Sequence, residues 1–287
     1  MAKNVTLSAF PNEVLVDDRF TVRVTGLGSN QRATIRSVVR EGSMAFSACG
    51  CYMADNDGCI DVCVQPSVSG TYTGVDQMGL VWSLQPIPGQ RPGLRLFKKD
   101  VTTAQTIKFE VFTEHRAFDH LHEISIPPLS TTEVLRWYKG KNVKRVPVEV
   151  GNIRGVLFIP PGKGQFPGVM DLFGSAGGLI EYRASLLASR GFVVLSLAYF
   201  GYKDLPESLF SILSIDYFKE GVHYLNSHPS VQPGGVGILG VSKGAEIAQL
   251  VALHSPLVKA VVSINGIPYV TLRPYSHGDD VIPVVNN

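Results

Sequence analysis

Residues 234–246 read Gly-Gly-Val-Gly-Ile-Leu-Gly-Val-Ser-Lys-Gly-Ala-Glu, and their order decides the fold of the second half of the chain. Residues 234–240 form an apolar run of strand length. Residues 242–253 carry Ile247, Leu250 and Val251 at spacings of three and four, the mark of a helix. Between the two stands Gly240-Val241-Ser242-Lys243-Gly244, a G-x-S-x-G pentapeptide. In a strand–turn–helix setting this is a nucleophile elbow. The turn is tight, so small residues are needed on either side of the serine, and Gly240 and Gly244 supply them. The Ser242 hydroxyl then stands at the carboxyl edge of a sheet, where open α/β sheets bind ligands. It also lies at a helix N-terminus, whose free N–H groups favour a developing oxyanion. The alternative is a serine that merely caps an ordinary helix.

Outward from the elbow, strands alternate with helices. Residues 143–150 and 153–159 flank Gly151-Asn152 as a hairpin. Residues 166–173 are a buried strand ending in glycines, and 179–190 a helix stopped by Gly191. Residues 192–199 suit a strand covered on both faces. Residues 206–227 predict a long helix ended by His228-Pro229, and 258–264 a last strand. This alternation predicts right-handed βαβ units on a parallel sheet. The loop Leu172-Phe-Gly-Ser-Ala-Gly-Gly178 follows an earlier strand. Backbone N–H groups at Gly174 or Ser175, with that of Lys243, are the candidate oxyanion hole. The alternative is a flexible glycine loop ahead of a helix.

Residues 1–125 predict an all-β sandwich. Period-two strands at 20–25, 33–39, 60–64, 80–84 and 106–112 are separated by turn residues such as Asp55-Asn-Asp-Gly58 and Pro86-Ile-Pro-Gly89. Pro127-Pro128 follows, and residues 126–142 read as a linker in which Ser130-Thr-Thr-Glu133 opens a short helix or an interdomain link. Residues 143–287 form the α/β part. The 287 residues fit about two domains.

A hydrophobic fraction of 45% with 17% charged residues excludes a disordered, collagenous or coiled-coil chain. A net charge of +2 with no long basic cluster argues against a nucleic-acid partner. The longest apolar stretch, 191–199, is too short for a membrane span. The first twenty residues show no signal or transit peptide, and Val284-Val-Asn-Asn287 is no peroxisomal address, so a cytoplasmic protein is expected. Cys49, Cys51, Cys59 and Cys63 fit no zinc spacing well. They read as reduced thiols on β-strands, with a metal site as the alternative. No cofactor is expected.

Several stretches together carry a resemblance: Asp171-Leu-Phe-Gly, Gly177-Gly-Leu, Glu181-Tyr-Arg-Ala-Ser-Leu-Leu187, Leu197-Ala-Tyr199, Asp204-Leu-Pro206 and 237–246. Over nearly its whole length the chain resembles the acyl-CoA thioesterase and bile-acid-CoA:amino-acid N-acyltransferase family. The resemblance implies an N-terminal β-sandwich followed by an α/β-hydrolase domain. It implies an acyl-CoA substrate and a nucleophile–Asp–His triad. Thioesterases of the family carry serine at the elbow and bile acid transferases carry cysteine, so Ser242 points to hydrolysis of fatty acyl-CoA through an acyl-serine. The alternatives are transfer of an acyl group to glycine or taurine, and an inert acyl-CoA-binding protein.

The triad partners are not found in this chain. His254 lies twelve residues along the helix from Ser242, about 18 Å away. His277, in Tyr275-Ser-His-Gly-Asp-Asp280, precedes its acids in reversed order and reads as part of a polar loop. Asp171 is better suited to a supporting role, and the slot after the last strand holds Asn265-Gly266. His120-Leu-His122 resembles a metal fragment only loosely and reads as an exposed interdomain loop. Lys243 suits either a CoA phosphate or a solvated position on the first turn. The α/β-hydrolase domain is therefore expected to be incomplete at its C-terminus, with an apolar edge strand at 258–264, poor solubility and little turnover.

Overall fold

The computed structural model describes residues 4–123 and 126–285. Residues 1–3, 286 and 287, which belong to the terminal stretches read above for targeting segments, lie outside the described residues, as do Ile124 and Ser125 at the expected domain boundary. The chain divides into two units, Met1–Lys98 with Thr102–Trp137, and Lys99–Val101 with Tyr138–Asn287.

The first unit comprises β1 (Thr6–Phe10), β2 (Glu13–Leu15), β3 (Thr21–Thr25), β4 (Arg32–Glu41), β5 (Met44–Met53), β6 (Ile60–Asp61), β7 (Ser69–Gly70), α1 (Gly79–Trp82), β8 (Gln85–Pro86), β9 (Gln105–Thr113), α2 (His120–Glu123) and β10 (Ser130–Trp137). One sheet runs β1-β3-β6, and the other runs β2-β10-β9-β4-β5-β7 with β8 on β5. Val22 and Val24 of the small sheet share an apolar core with Ile35, Val39, Ile107 and Phe109 of the large one. Phe20 and Phe109 meet edge to face at 5.8 Å. Each such buried side chain contributes about 1.5–3 kcal/mol.

Three sequence readings are corrected here. Residues 130–137, expected in the linker, are strand β10, with Val134 and Arg136 buried on alternate positions. Residues 80–84, expected as a strand, begin inside the single helical turn α1. Asp76 makes that turn: its carboxylate accepts from the Met78 N–H (2.8 Å) and from the Trp82 indole (2.9 Å). Cys59 lies just ahead of β6 and Cys63 in the turn after it, neither on a strand, while Cys49 and Cys51 are buried on β5, and all four are free of disulfides.

The second unit comprises β11 (Lys144–Val150), β12 (Ile153–Ile159), β13 (Gly168–Leu172), α3 (Tyr182–Ser189), β14 (Val193–Leu197), β15 (Leu213–Ser214), α4 (Ile215–Asn226), β16 (Val236–Val241), α5 (Lys243–His254), β17 (Val258–Ile264), β18 (Tyr275–His277) and β19 (Asp280–Ile282). Its main sheet has the order β11-β12-β14-β13-β16-β17. β14, β13, β16 and β17 pair in parallel, and β11 and β12 form the antiparallel hairpin turned at Gly151 (φ 54°). Leu195 and Leu197 pack with Phe218, Val222, Ile247 and Val251 of α4 and α5. Val194, pointing the other way, packs with Ala184 and Ala188 of α3. Helices therefore cover both faces, which explains the continuous apolar runs. The edge strand β17 exposes Val262 and Ile264.

Two expectations fail in this unit. The helix predicted over 206–227 begins only at Ile215, because Ser214 is extended and its hydroxyl accepts from the Asp216 N–H at 3.2 Å. Leu213–Ser214 instead pairs in parallel with Tyr275–Ser276. The segment read as a polar loop around His277 is the antiparallel β18–β19 pair.

Candidate active site

β16 delivers the chain to the elbow and α5 carries it away. Ser242, between them, has φ 54° and ψ −119°, a left-handed backbone that non-glycine residues adopt rarely and at a cost of order 1–3 kcal/mol. The strain is held by the surroundings: the Ser242 N–H donates to the Ile264 carbonyl at 2.8 Å, and its carbonyl accepts from Ala245 at 2.9 Å. The side chain is exposed and makes no capping hydrogen bond to α5. The first-turn N–H groups of α5 stand beside it without a side-chain cap from Ser242.

The glycines are steric requirements. A β-carbon on Gly240 would lie 2.2 Å from the Gly244 carbonyl oxygen. One on Gly244 would lie 2.4 Å from the carbonyl oxygens of both Leu172 and Phe173. Gly244 thus lets α5 sit on the end of β13, bringing the Gly174 loop to the serine. A β-carbon on Gly174 would lie 3.1 Å from Ser242 Cβ and 3.7 Å from its Oγ. Gly174 is buried and Ser175 exposed. The Tyr199 hydroxyl pins this loop, shared between the carbonyls of Phe173 (2.5 Å) and Gly174 (3.0 Å). Its burial raises the Tyr199 pKa, so it remains a donor.

Lys243 is neither solvated nor open to a phosphate. Its ammonium turns inward and donates to Glu246 Oε1 (2.5 Å) and to the Thr271 carbonyl (2.7 Å). Glu246 also accepts from the Thr271 hydroxyl (2.6 Å) and from Tyr275 (3.0 Å), whose own pKa is raised by burial and then by Glu246. The sequence reading missed Glu246, Thr271, Tyr275 and Tyr199. Only the Lys243/Glu246 spacing of three carried a signal for such a pair.

Asp171, near the end of β13, is buried against Arg183 of α3, whose Nε donates at 2.7 Å and whose Nη2 also bonds it. Burial raises its pKa to about 6 against the opposing pull of Arg183. His254 closes α5, and the His277 ring lies 4.5 Å from it. Both sit at the helix end remote from Ser242, about 18 Å along its axis. His277 bonds Lys219 there at 3.0 Å. Asn265 turns the chain after β17 with φ 51°. Among the described residues no group of three His, Cys, Asp or Glu side chains is placed to hold a metal ion, and no helix is long and apolar enough to cross a membrane.

Residues 17–150 match the family model described as acyl-CoA thioester hydrolase/BAAT N-terminal region, and residues 213–287 match BAAT/acyl-CoA thioester hydrolase C terminal. The chain is 42% identical to acyl-coenzyme A amino acid N-acyltransferase 1 of Mus musculus, over 97% of this chain and 66% of that protein. It is 40% identical to mouse acyl-coenzyme A thioesterase 1 over 94% of this chain and 62% of that one. To mouse mitochondrial acyl-coenzyme A thioesterase 2 it is 39% identical, over 99% and 61%. The chain thus spans less than two thirds of the length of these relatives. Among solved structures, a dienelactone hydrolase from Anabaena variabilis superimposes on 42% of this chain and 62% of its own, with a TM-score of 0.34 and 24% identity. The paired family matches and the near-complete alignments make the chain a member of the acyl-CoA thioester hydrolase and bile acid-CoA:amino acid N-acyltransferase family.

Proposed function

We propose that the chain carries the nucleophile and oxyanion hole of an acyl-CoA thioester hydrolase, on an α/β-hydrolase domain (143–287) that follows a β-sandwich (1–125). The observation that carries this reading is the backbone of Ser242: left-handed, exposed, free of a capping role and flanked by two sterically required glycines. Ser242 Oγ attacks the thioester carbonyl as its hydroxyl proton passes to solvent water. The resulting oxyanion takes hydrogen bonds from the Lys243 N–H and from an N–H at Gly174 or Ser175. The carbon–sulfur bond then breaks, CoA leaves as the thiolate, and water hydrolyses the acyl-serine. The reading assigns no base among the described residues, since both histidines after Ser242 sit at the far end of α5. Four unpaired thiols suit a reducing compartment such as the cytoplasm.

Relatives named as acyltransferases support a second reading, transfer of the acyl group to an amino acid. One experiment separates them. The chain is incubated with palmitoyl-CoA, with and without glycine or taurine, and free thiol, acyl-Ser242 and products are quantified beside Ser242→Ala. Slow thiol release and an acyl-Ser242 adduct that both vanish in Ser242→Ala are expected, with little turnover to free acid. N-acyl glycine or taurine supports the second reading. Equal release from both proteins overturns the assignment, and saturable binding without adduct leaves only an acyl-CoA binder.

A further inference from the structure

The first unit carries a second chemically distinctive site, on the face of its large sheet turned away from the core. β4 and β9 pair so that Arg36 faces Glu110 and Val38 faces Lys108. Ile35, Val39, Ile107 and Phe109 point into the core, so Arg36, Arg40, Lys108 and Glu110 share the opposite face. Helix α2 covers part of this face: Leu121 packs on Cys49 and Phe112. Read from sequence as an exposed loop, His120-Leu-His122 is instead this half-buried turn. Beside it remains a cleft of about 170 Å³ lined by Arg36, Arg40, Ile87, Lys108, Glu110 and His122.

The cleft holds three cations and one carboxylate. Glu110 is bound by Arg36 through Nη2 (2.6 Å) and Nε (2.8 Å), and by Lys108 at 2.9 Å. One negative charge is thus shared between two cations. The exposed Arg40 side chain makes no ion pair or hydrogen bond among the described residues. Two positive charges are left in excess. Arg36 also bonds the Leu121 carbonyl, yet a guanidinium has five N–H groups and an ammonium three, so both Arg36 and Lys108 keep donors to spare.

His122 lines the cleft beside these cations. Its Nε2 is buried and has no hydrogen-bond partner among the described residues, while Phe118 holds the ring at 4.9 Å. Buried polar atoms of native proteins are bonded as a rule, and an orphan calls for a partner. The charged groups around the ring are Arg36 and Arg40 on β4, Glu110 on β9 and Asp119 just before α2. Burial first, and then Arg36, lower its pKa, so near neutral pH the ring is uncharged and has one N–H to give.

We propose that this cleft binds a phosphoryl group, either free phosphate or the phosphate of a small ester such as a nucleotide. A phosphate dianion matches the two excess charges, and its tetrahedral oxygens accept from several directions at once. A carboxylate offers half the charge in one plane. Arg40 and Lys108 supply the charge and Arg36 its remaining N–H groups, with the His122 ring lining the cleft beside them.

The test uses the full chain at low salt, where exposed charges are least screened. Inorganic phosphate, 3′,5′-ADP and acetate are titrated in by calorimetry, while the His122 imidazole signals are followed by NMR. Saturable binding of phosphate or 3′,5′-ADP that shifts the His122 signals and raises its titration midpoint is expected, with acetate much weaker. Tighter binding of 3′,5′-ADP identifies an ester site, and equal binding a free-phosphate site. Arg40→Gln and Lys108→Gln, both on exposed side chains, each weaken binding about tenfold or more. Acetate binding as well as phosphate, binding that leaves His122 unmoved, or affinity unchanged in both variants overturns the proposal, as does the absence of saturable binding.

Discussion

Lys243 and Glu246 form an ion pair of 2.5 Å on the first turn of α5, with side chains only 5% and 3% exposed. The pair ties the residue that follows Ser242 to a segment 28 positions further on, because both charged groups also bond Thr271. Glu246→Ala takes the counter-ion from a buried ammonium, which keeps only the Thr271 carbonyl, and the acceptor from the Thr271 and Tyr275 hydroxyls. A loss of about 3–5 kcal/mol is expected in urea unfolding. The double variant Lys243→Met/Glu246→Leu, which removes both charges, recovers most of it. A loss below about 1 kcal/mol in the single variant would show that the tie carries little stability.

Gly240→Ala and Gly244→Ala test the close approach of β16, α5 and the end of β13. The contacts they create, at 2.2 and 2.4 Å, fall on backbone carbonyls that no side-chain rotation relieves. Each is expected to cost about 1–3 kcal/mol by overpacking and to abolish acylation of Ser242. Mass spectrometry of the palmitoyl-CoA-treated variants reads the second effect; wild-type levels of adduct would contradict the steric account.

Tyr199→Phe removes the hydroxyl that holds the Phe173 and Gly174 carbonyls. The aromatic ring stays, so the core is preserved, but two carbonyls lose a buried donor at a cost of about 1–3 kcal/mol. Thermal unfolding measures that cost. Acylation of Ser242 is expected to slow as well, because the loop beside its Oγ loosens; an unchanged acylation rate would separate the loop from the chemistry.

Asp171 sets a pH dependence of defined sign. Its folded pKa, raised to about 6 by burial, exceeds the roughly 3.9 of an unfolded aspartate. The folded state therefore binds the proton more tightly, and stability falls as pH rises from about 4 to about 6. The loss attributable to this group is at most about 3 kcal/mol. Other carboxylates titrate in the same window, so the observable is the difference between wild type and Asp171→Asn. Wild type should lose stability relative to the variant across that interval; a difference that is flat or grows with pH would show that Arg183 outweighs burial.

The strands of the parallel sheet, its hairpin and the tight strand-to-helix turn at Ser242 were legible because their signals are local. A tight turn between an apolar strand and a helix needs Gly240 and Gly244 whatever surrounds it, and a strand covered on both faces reads as a continuous apolar run, as 193–197 does. Errors arose where a short polar contact overrode the pattern. Asp76 turned Gly79–Trp82 into a helical turn within an apolar stretch that suggested a strand. Ser214 delayed α4 until Ile215 although the apolar spacing began earlier. Strand β10 was hidden behind Pro127-Pro128, which looked like a boundary.

By itself the sequence determined which residue is the candidate nucleophile, which glycines must flank it and which loop is its neighbour, since tight turns and close backbone approaches admit few residue types. It could not say where Lys243 points. A lysine on a first helical turn is ordinarily solvated, and it is buried here because Thr271 and Tyr275 come back over α5 to close around Glu246. Nor could it place His122, whose Nε2 is buried because α2 folds onto the outer face of the large sheet. Whether a charge or a ring nitrogen meets water depends on residues distant in the chain, and only the tertiary structure brings those together.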